Sequence, residues 1–299
     1  MNKWFYFSLI ILTTCMMGIA FPIGKIGMDY APPFLLMGIR YLLAGGVLAL
    51  IVSKKQQPRG RKQWLQAAVI GLFQSAGVMG CGYYSMNWIT SSESAIITFV
   101  NPLIVIVLGT LFMGKAYRGY QWLGVAVGFM GVVFTLGFQL QFQQGTLLAF
   151  AAALSFSTAT LLIKKWGSAF DTMVLAAYQM VAGGVTLSLL SLFTEQPIFD
   201  INTNSIFILL VLVIVCSILQ FSLWFYLLKN GDAAKTSSFL FLVPFFGVLS
   251  SWWLLGEQVQ WYVVAGGALI CIGIFLVNWE RKSTAPMLVK TGVGARETI

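Results

Sequence analysis

The chain has no histidine and only nine acidic residues in 299. It therefore lacks the side chain that most often ligates transition metals and most readily moves a proton near neutral pH. Charged residues make up 9% of it, where a soluble domain carries about a quarter. Such a chain cannot cover a water-facing surface of ordinary polarity. Nor does it hold a polar stretch long enough to build a soluble domain; the longest run from Ser53 to Gln63 and from Glu280 to Ile299. The four cysteines, Cys15, Cys81, Cys216 and Cys271, lie singly in apolar runs without CxxC spacing, and read as small buried hydrophobes rather than metal ligands or disulfides. Glycine-rich phosphate loops, HExxH and paired catalytic carboxylates are missing. No metal, cofactor or enzymatic chemistry is expected, and a receptor or scaffold would need a soluble domain that is not there.

What is present is apolar: 59% of residues are hydrophobic and the mean hydropathy is +0.86. A membrane-spanning helix needs about twenty apolar residues. Runs of that length lie at 4–24, 33–52, 64–86, 94–113, 119–138, 145–163, 173–193, 205–228, 236–255 and 261–278. The first is long for a signal peptide and no clear cleavage site follows it, so it is read as a retained helix. With the amino terminus in the cytoplasm, sixteen of the eighteen Lys and Arg residues fall on the inner side, leaving only Lys25 and Arg40 at or near the outer side. This asymmetry predicts ten crossings with both termini inside, in a plasma or inner membrane. It also accounts for the net charge of +9 without a nucleic-acid partner.

The two halves resemble each other. A shift of 142 residues pairs Phe99 with Phe241, Pro102 with Pro244, Gly114 with Gly256, Tyr120 with Tyr262, Gly124 with Gly266 and Gly131 with Gly273. A shift of 138 pairs the AlaGlyGlyVal at 44–47 with that at 182–185. Five crossings per half is an odd number, so the halves must have inverted topology. Inverted repeats typify secondary transporters, where two related halves open alternately to either side of one site.

The sequence resembles the EamA-type ten-helix family of the drug/metabolite transporter superfamily. The resemblance covers essentially the whole chain. It rests on SerSerGluSerAlaIleIleThrPheValAsnProLeu at 91–103, LeuPheMetGlyLys at 111–115 and LeuGlyValAlaValGlyPheMetGlyVal at 123–132. The second copy reads SerSerPheLeuPheLeuValProPhePhe at 237–246, LeuLeuGlyGlu at 254–257 and AlaGlyGlyAlaLeuIleCysIleGlyIle at 265–274. The Trp-Gly pair usual in the family's first helix is Met17-Gly18 here. The resemblance implies a carrier of amino acids or related metabolites, outward or inward, without fixing substrate or direction.

Pro102 and Pro244 each lie about eight residues inside a run, ~12 Å deep in a ~30 Å core. A proline withholds a hydrogen bond from the carbonyl four residues earlier, here Thr98 and Leu240, so each marks a helix break beside a cavity or a kink satisfied by a neighbour. Ser94, Thr98 and Asn101 share one face of the fourth run; Ser217, Gln220 and Trp224 share one on the eighth; Gln74, Cys81, Tyr84 and Trp88 make a looser stripe on the third. Ser155, Ser157 and Thr158 lie on the sixth. These are candidates for binding a polar metabolite, with helix–helix hydrogen bonding as the alternative role. Arg40 is the one basic residue well inside a run; it either meets a substrate or snorkels outward. No carboxylate falls near the middle of a run, and Glu93 at the mouth of the fourth comes nearest.

The expected fold is all-α and integral to the membrane, with ten transmembrane helices in two inverted five-helix repeats, 1–138 and 145–279, and a cytoplasmic tail, 280–299. The expected site holds Arg40, Tyr84, Thr98, Asn101, Ser157, Gln220 and Trp224, with Pro102 and Pro244 as hinges, around a small polar or zwitterionic metabolite. The expected function is export of amino acids or related metabolites. Metabolite import and drug efflux are the alternatives, and a membrane-embedded enzyme is the least supported. Gly124, Gly128, Gly131, Gly266, Gly267 and Gly273 mark faces for close packing or a homodimer.

Overall fold

The computed structural model describes residues 3–113, 117–135, 143–230 and 239–278, and all the regular structure among them is helical. The rods are α1 (Lys3–Gly27), α2 (Pro33–Ile51), α3 (Gly60–Gly71, a π-helical stretch Leu72–Gly80, then Cys81–Ser85) and α4 (Ser91–Thr98, then Asn101–Met113). They continue as α5 (Gly119–Thr135), α6 (Gln144–Trp166), α7 (Thr172–Thr194) and α8 (Thr203–Val213, a π-helical stretch Ile214–Leu219, then Gln220–Asn230). Last come α9 (Leu242–Leu255, after a 3-10 turn at Phe239–Phe241) and α10 (Trp261–Asn278). By length and composition α1, α2, α3, α4, α6, α7 and α8 can cross a membrane; α5, α9 and α10 are shorter apolar helices. The protein is thus a multi-pass membrane protein. Of the ninth apolar run, expected from 236, the described part is a 3-10 turn at Phe239–Phe241 followed by α-helix from Leu242; residues 236–238 and the tail 280–299 lie outside the described residues.

Helix ends leave backbone groups without partners, and the described loops supply them. The Glu195 carboxylate, in the loop after α7, accepts from Phe34 and Leu35 N–H at 2.9 and 3.1 Å and so caps α2. Glu257, in the loop after α9, accepts from Ser91 and Ser92 N–H at 2.8 and 3.2 Å, and from both hydroxyls, at the start of α4. Thr90 and Glu93 add a capping box there. At the opposite end Asp171 caps α7 through Met173 and Val174 N–H and pairs with Lys55 at 3.1 Å. Partial burial would raise the Asp171 carboxyl, but Lys55 and the two N–H donors outweigh it and hold it below the usual carboxylate range.

Lipid tails are as apolar as leucine, so helices in a membrane associate by close fit rather than by a hydrophobic force. The two tightest pairs here are built on glycine. In α5 and α10 a Cβ on Gly124 would fall 2.8 Å from the Gly273 carbonyl, and one on Gly131 2.7 Å from the Gly266 carbonyl. The pairing order makes these helices antiparallel. In α2 and α7 Gly38 faces Ser188, Gly45 faces Val181 and Gly184 faces Leu42, again antiparallel. The glycine faces of α5 and α10 are therefore used inside the chain, with Gly128 against Leu103 and Gly267 against Ile96.

One substitution made at two places tests this packing. Gly266→Ala puts a Cβ 2.5 Å from the Gly131 carbonyl and the Thr135 N, and should cost about 1–3 kcal/mol by overpacking. Gly46→Ala on α2 meets nothing within 4 Å and should be neutral or stabilising, since alanine is the better helix former. Thermal unfolding in detergent, followed by tryptophan fluorescence, should lower the midpoint for the first and not for the second.

Candidate functional site

The most polar group in the interior is Arg40. It sits midway along α2, is 1% exposed, and turns inward rather than snorkelling out. Its Nε donates to Ser217 Oγ at 2.8 Å and its Nη2 to the Cys216 carbonyl at 2.6 Å. Nη1 reaches Tyr83 Oη at 3.3 Å and Met37 Sδ at 3.6 Å, and the guanidinium lies 5.3 Å from the Tyr41 ring centre. Every one of these partners is neutral. The one ion pair among the described residues is Lys55–Asp171, far along the chain at a helix end. Ser217 in turn donates to the carbonyl of Leu212, five residues back, and Tyr83 Oη donates to the Ala20 carbonyl. One cation thus ties α1, α2, α3 and α8 together.

Two of those helices are wound wide, α8 where it meets Arg40 at Cys216 and Ser217 and α3 in the stretch that ends three residues before Tyr83. The π-helical stretches of α3 and α8 begin at Leu72 and Ile214, 142 residues apart, the offset that also relates Pro102 to Pro244. Wide turns of this kind are frequent at functional sites. They also shift the face that a helix presents. On a straight α3 the buried face of Ala67, Ile70 and Gly71 would next reach Gln74; instead Ser75 is buried and donates to Gln179 Oε1 at 2.8 Å. Further on, Gly82, Tyr83 and Met86 face inward. Tyr84, expected in the site, is half-buried and stacks on Phe34 with ring centres 4.7 Å apart.

α4 is interrupted at Phe99 and Val100, between Ser91–Thr98 and Asn101–Met113. Pro102 falls in the first turn of the second segment, where its missing N–H costs nothing, and Pro244 likewise falls in the first turn of α9. Thr98 Oγ1 and Asn101 Oδ1 flank the interruption, fully buried and 4% exposed, and neither has a hydrogen-bond partner. Ser157 lies with its Oγ 3.0 Å from the Asn101 carbonyl and 2.8 Å from that of Ala153, joining α6 to the break.

The two clusters meet through α3. Tyr83 carries Arg40, while a Cβ on the adjacent Gly82 would lie 3.6 Å from Thr98 Oγ1 and 4.0 Å from the Phe21 ring. Phe21 stacks on Tyr83 at 5.7 Å and meets Phe99 edge-on at 6.0 Å; Phe99 meets Phe156 at 5.9 Å. The result is a fixed positive charge, a wall of aromatic rings, and two orphaned oxygens at a helix break. Gln220 and Trp224 follow Ser217 on α8, 7% exposed and half-buried, without a bond to Arg40. Glu93, the carboxylate nearest a mid-membrane position, accepts from Thr90 in its own helix cap. Cavities among the described residues lie elsewhere. One is an apolar groove of about 530 Å³ between α9 and α10, lined by Pro244, Phe245 and Trp252 among others; another, of about 230 Å³, is beside Glu93 and Glu257.

The sequence matches the model of the EamA-like transporter family twice, over residues 4–137 and 143–279. The chain belongs to the EamA-like transporter family. Among curated proteins this transporter is 30% identical to YvbV of Bacillus subtilis, described as an uncharacterized transporter, over 92% of each chain. It is 26% identical to the uncharacterized inner membrane transporter YedA of Escherichia coli K12, over 84% of this chain and 86% of that one. A protein of known crystal structure, 19% identical, superposes with a TM-score of 0.65 over 91% of this chain and 95% of its own, and shares the fold.

The phase shift in α3 of the transporter gives two neighbouring tyrosines different weights. Tyr83→Phe leaves an Arg40 N–H and the Ala20 carbonyl short of a partner, a loss of about 1–3 kcal/mol. Tyr84→Phe keeps the stack on Phe34 and should stay within about 0.5 kcal/mol. Thermal unfolding of the two variants in one detergent distinguishes them; equal midpoints would contradict the geometry above.

Proposed function

We propose that this transporter exports amino acids or related small polar metabolites across the plasma membrane by alternating access, through ten crossings in two inverted five-helix repeats with both termini in the cytoplasm. The observation that carries the reading is Arg40, a buried charge with no acidic partner among the described residues. Burying an uncompensated cation costs several kcal/mol, a cost a transporter recovers when its substrate brings the negative charge. A guanidinium holds a carboxylate by two parallel hydrogen bonds, which suits an amino acid. Thr98, Asn101 and the aromatic wall then receive the rest of the molecule, and Gln220 and Trp224 extend the path along α8.

The inverted repeat has support in the packing. The contacts Gly124–Gly273 and Gly131–Gly266 turn into each other when the halves are exchanged by the 142-residue shift, as a two-fold axis between α5 and α10 requires. The repeated π-helical stretches and prolines fit the same axis. Drug efflux is the second reading, and the apolar groove between α9 and α10 speaks for it, since it would take an apolar solute from the bilayer.

Topology is tested with single cysteines at Gln56 and Gln143, both exposed, in a cysteine-free background. Gln143 should react with an impermeant maleimide in intact cells, and Gln56 only after the cytoplasm is opened. Reaction of both in intact cells would refute the ten-crossing arrangement.

For function, overexpression should lower the internal level of an amino acid or small metabolite and confer resistance to it or a toxic analogue. Arg40→Ala should reach the membrane in normal amount yet transport at least about tenfold less, because one charge-assisted hydrogen-bond pair is worth roughly 1.5–3 kcal/mol. Arg40→Lys should keep part of the activity. Full transport by Arg40→Ala would remove the residue from the site, and resistance confined to apolar drugs would favour the second reading.

A further inference from the structure

We infer that the break in α4 is a subsite for a monovalent cationic head group, supplied either as the ammonium of the transported molecule or as Na⁺. The inference rests on α4 lining the transport path, and it gives that part of the path a ligand chemistry.

Three features at the break point to a cation. The Thr98 carbonyl has Pro102 four residues on, so the helix offers it no N–H. Thr98 Oγ1 and Asn101 Oδ1 are buried beside it without partners. The segment Ser91–Thr98 ends at the break, and a helix presents the negative end of its dipole at its C-terminus. Such half-helix ends with freed carbonyls hold cations in other transporters. An anion would meet lone pairs here. A divalent cation would want carboxylates, and the described residues hold no cluster of acidic or other metal-ligating side chains. Neutral oxygens suit a single positive charge.

The surroundings limit its size and nature. A Cβ on Gly82 would lie 3.6 Å from Thr98 Oγ1, an ordinary contact, so there is room beside the hydroxyl for a group about as large as a methyl. The Phe21 and Phe99 rings stand beside the break, in edge contact with each other at 6.0 Å and with Phe21 Cε1 4.0 Å from that Cβ, and they keep the pocket small and apolar on that side. Arg40, on the far side of Tyr83, repels a bare cation but draws the carboxylate of a zwitterion. That ranks the ammonium ahead of Na⁺.

The test needs no knowledge of the substrate. Purified full-length protein in nanodiscs is unfolded thermally in choline chloride, NaCl or methylammonium chloride at equal ionic strength. Choline has no N–H to donate and is too large for the site, so it sets the baseline. Methylammonium should raise the wild-type midpoint by about 2 °C or more, through binding to the folded state alone. Asn101→Leu and Thr98→Val should fold with midpoints in choline no lower than wild type, because each replaces an unsatisfied polar group with an apolar one of similar shape. Both should lose the response, and Thr98→Ser should keep it. A response to NaCl alone, lost in the same variants, would support the subsite and make the ligand a coupling ion. No difference among the three salts, or an undiminished response in Asn101→Leu and Thr98→Val, would overturn it. Transport scored separately with Arg40→Ala keeps the two readings apart, since export that needs Arg40 in a protein indifferent to both cations removes the subsite and leaves the transporter.

Discussion

Every backbone N–H and C=O inside a bilayer has to find its partner within the protein, because the hydrocarbon offers none and each unpaired group costs several kcal/mol. That constraint makes the chain helical and decides what is done at helix ends. Glu195 and Glu257 are spent on the first turns of α2 and α4, and Asp171 on the first turn of α7. It also gives meaning to the places where the ladder is irregular. The wide turns of α3 and α8 and the gap in α4 all gather around Tyr83 and Arg40, where side chains take up bonds the backbone gives away. The Cys216 carbonyl and the Leu212 carbonyl are both held this way.

A second division follows from how the helices touch. α5 against α10, and α2 against α7, approach so closely at glycine that a single added carbon would collide with the opposing backbone. Contacts of that kind have few ways to slide. Around Arg40 and the break in α4 the joints also include aromatic contacts and hydrogen bonds of hydroxyls.

Much of this could be read from the residues. Among the described residues the apolar runs coincide with helices, seven long enough to cross a membrane and three shorter, and Arg40 stands out as the one basic residue far from any loop. The glycines of α5 and α10 were recognisable as a close-packing face, although their spacing does not say that the partner is the other half of the same chain. The Thr98–Asn101 stripe marked the break because proline chemistry is local. Tyr83 was not legible. A π-helical stretch has no compositional mark, so an α-helical phase carried from Gln74 reaches Tyr84, while in the folded chain Tyr83 takes the inward position. The carboxylates were equally opaque, since a glutamate beside a loop does not reveal whose helix it caps.

Arg40 also exposes the protein to the membrane potential. A charge paired with a nearby carboxylate forms a dipole that the transmembrane field barely moves, but Arg40 is held by a hydroxyl, a carbonyl, a phenol and a thioether, which leave its charge whole. Carrying one elementary charge across the full field takes about 2.3 kcal/mol per 100 mV. A shift of Arg40 through a tenth of the membrane therefore does about 0.2 kcal/mol of electrical work at that voltage, in a direction set by the charge on the cytoplasmic face. A bound zwitterion adds as much positive charge as negative, so it would leave that work in place, whereas a singly charged anion would cancel it. The carrier would then feel the voltage both empty and loaded with a zwitterion.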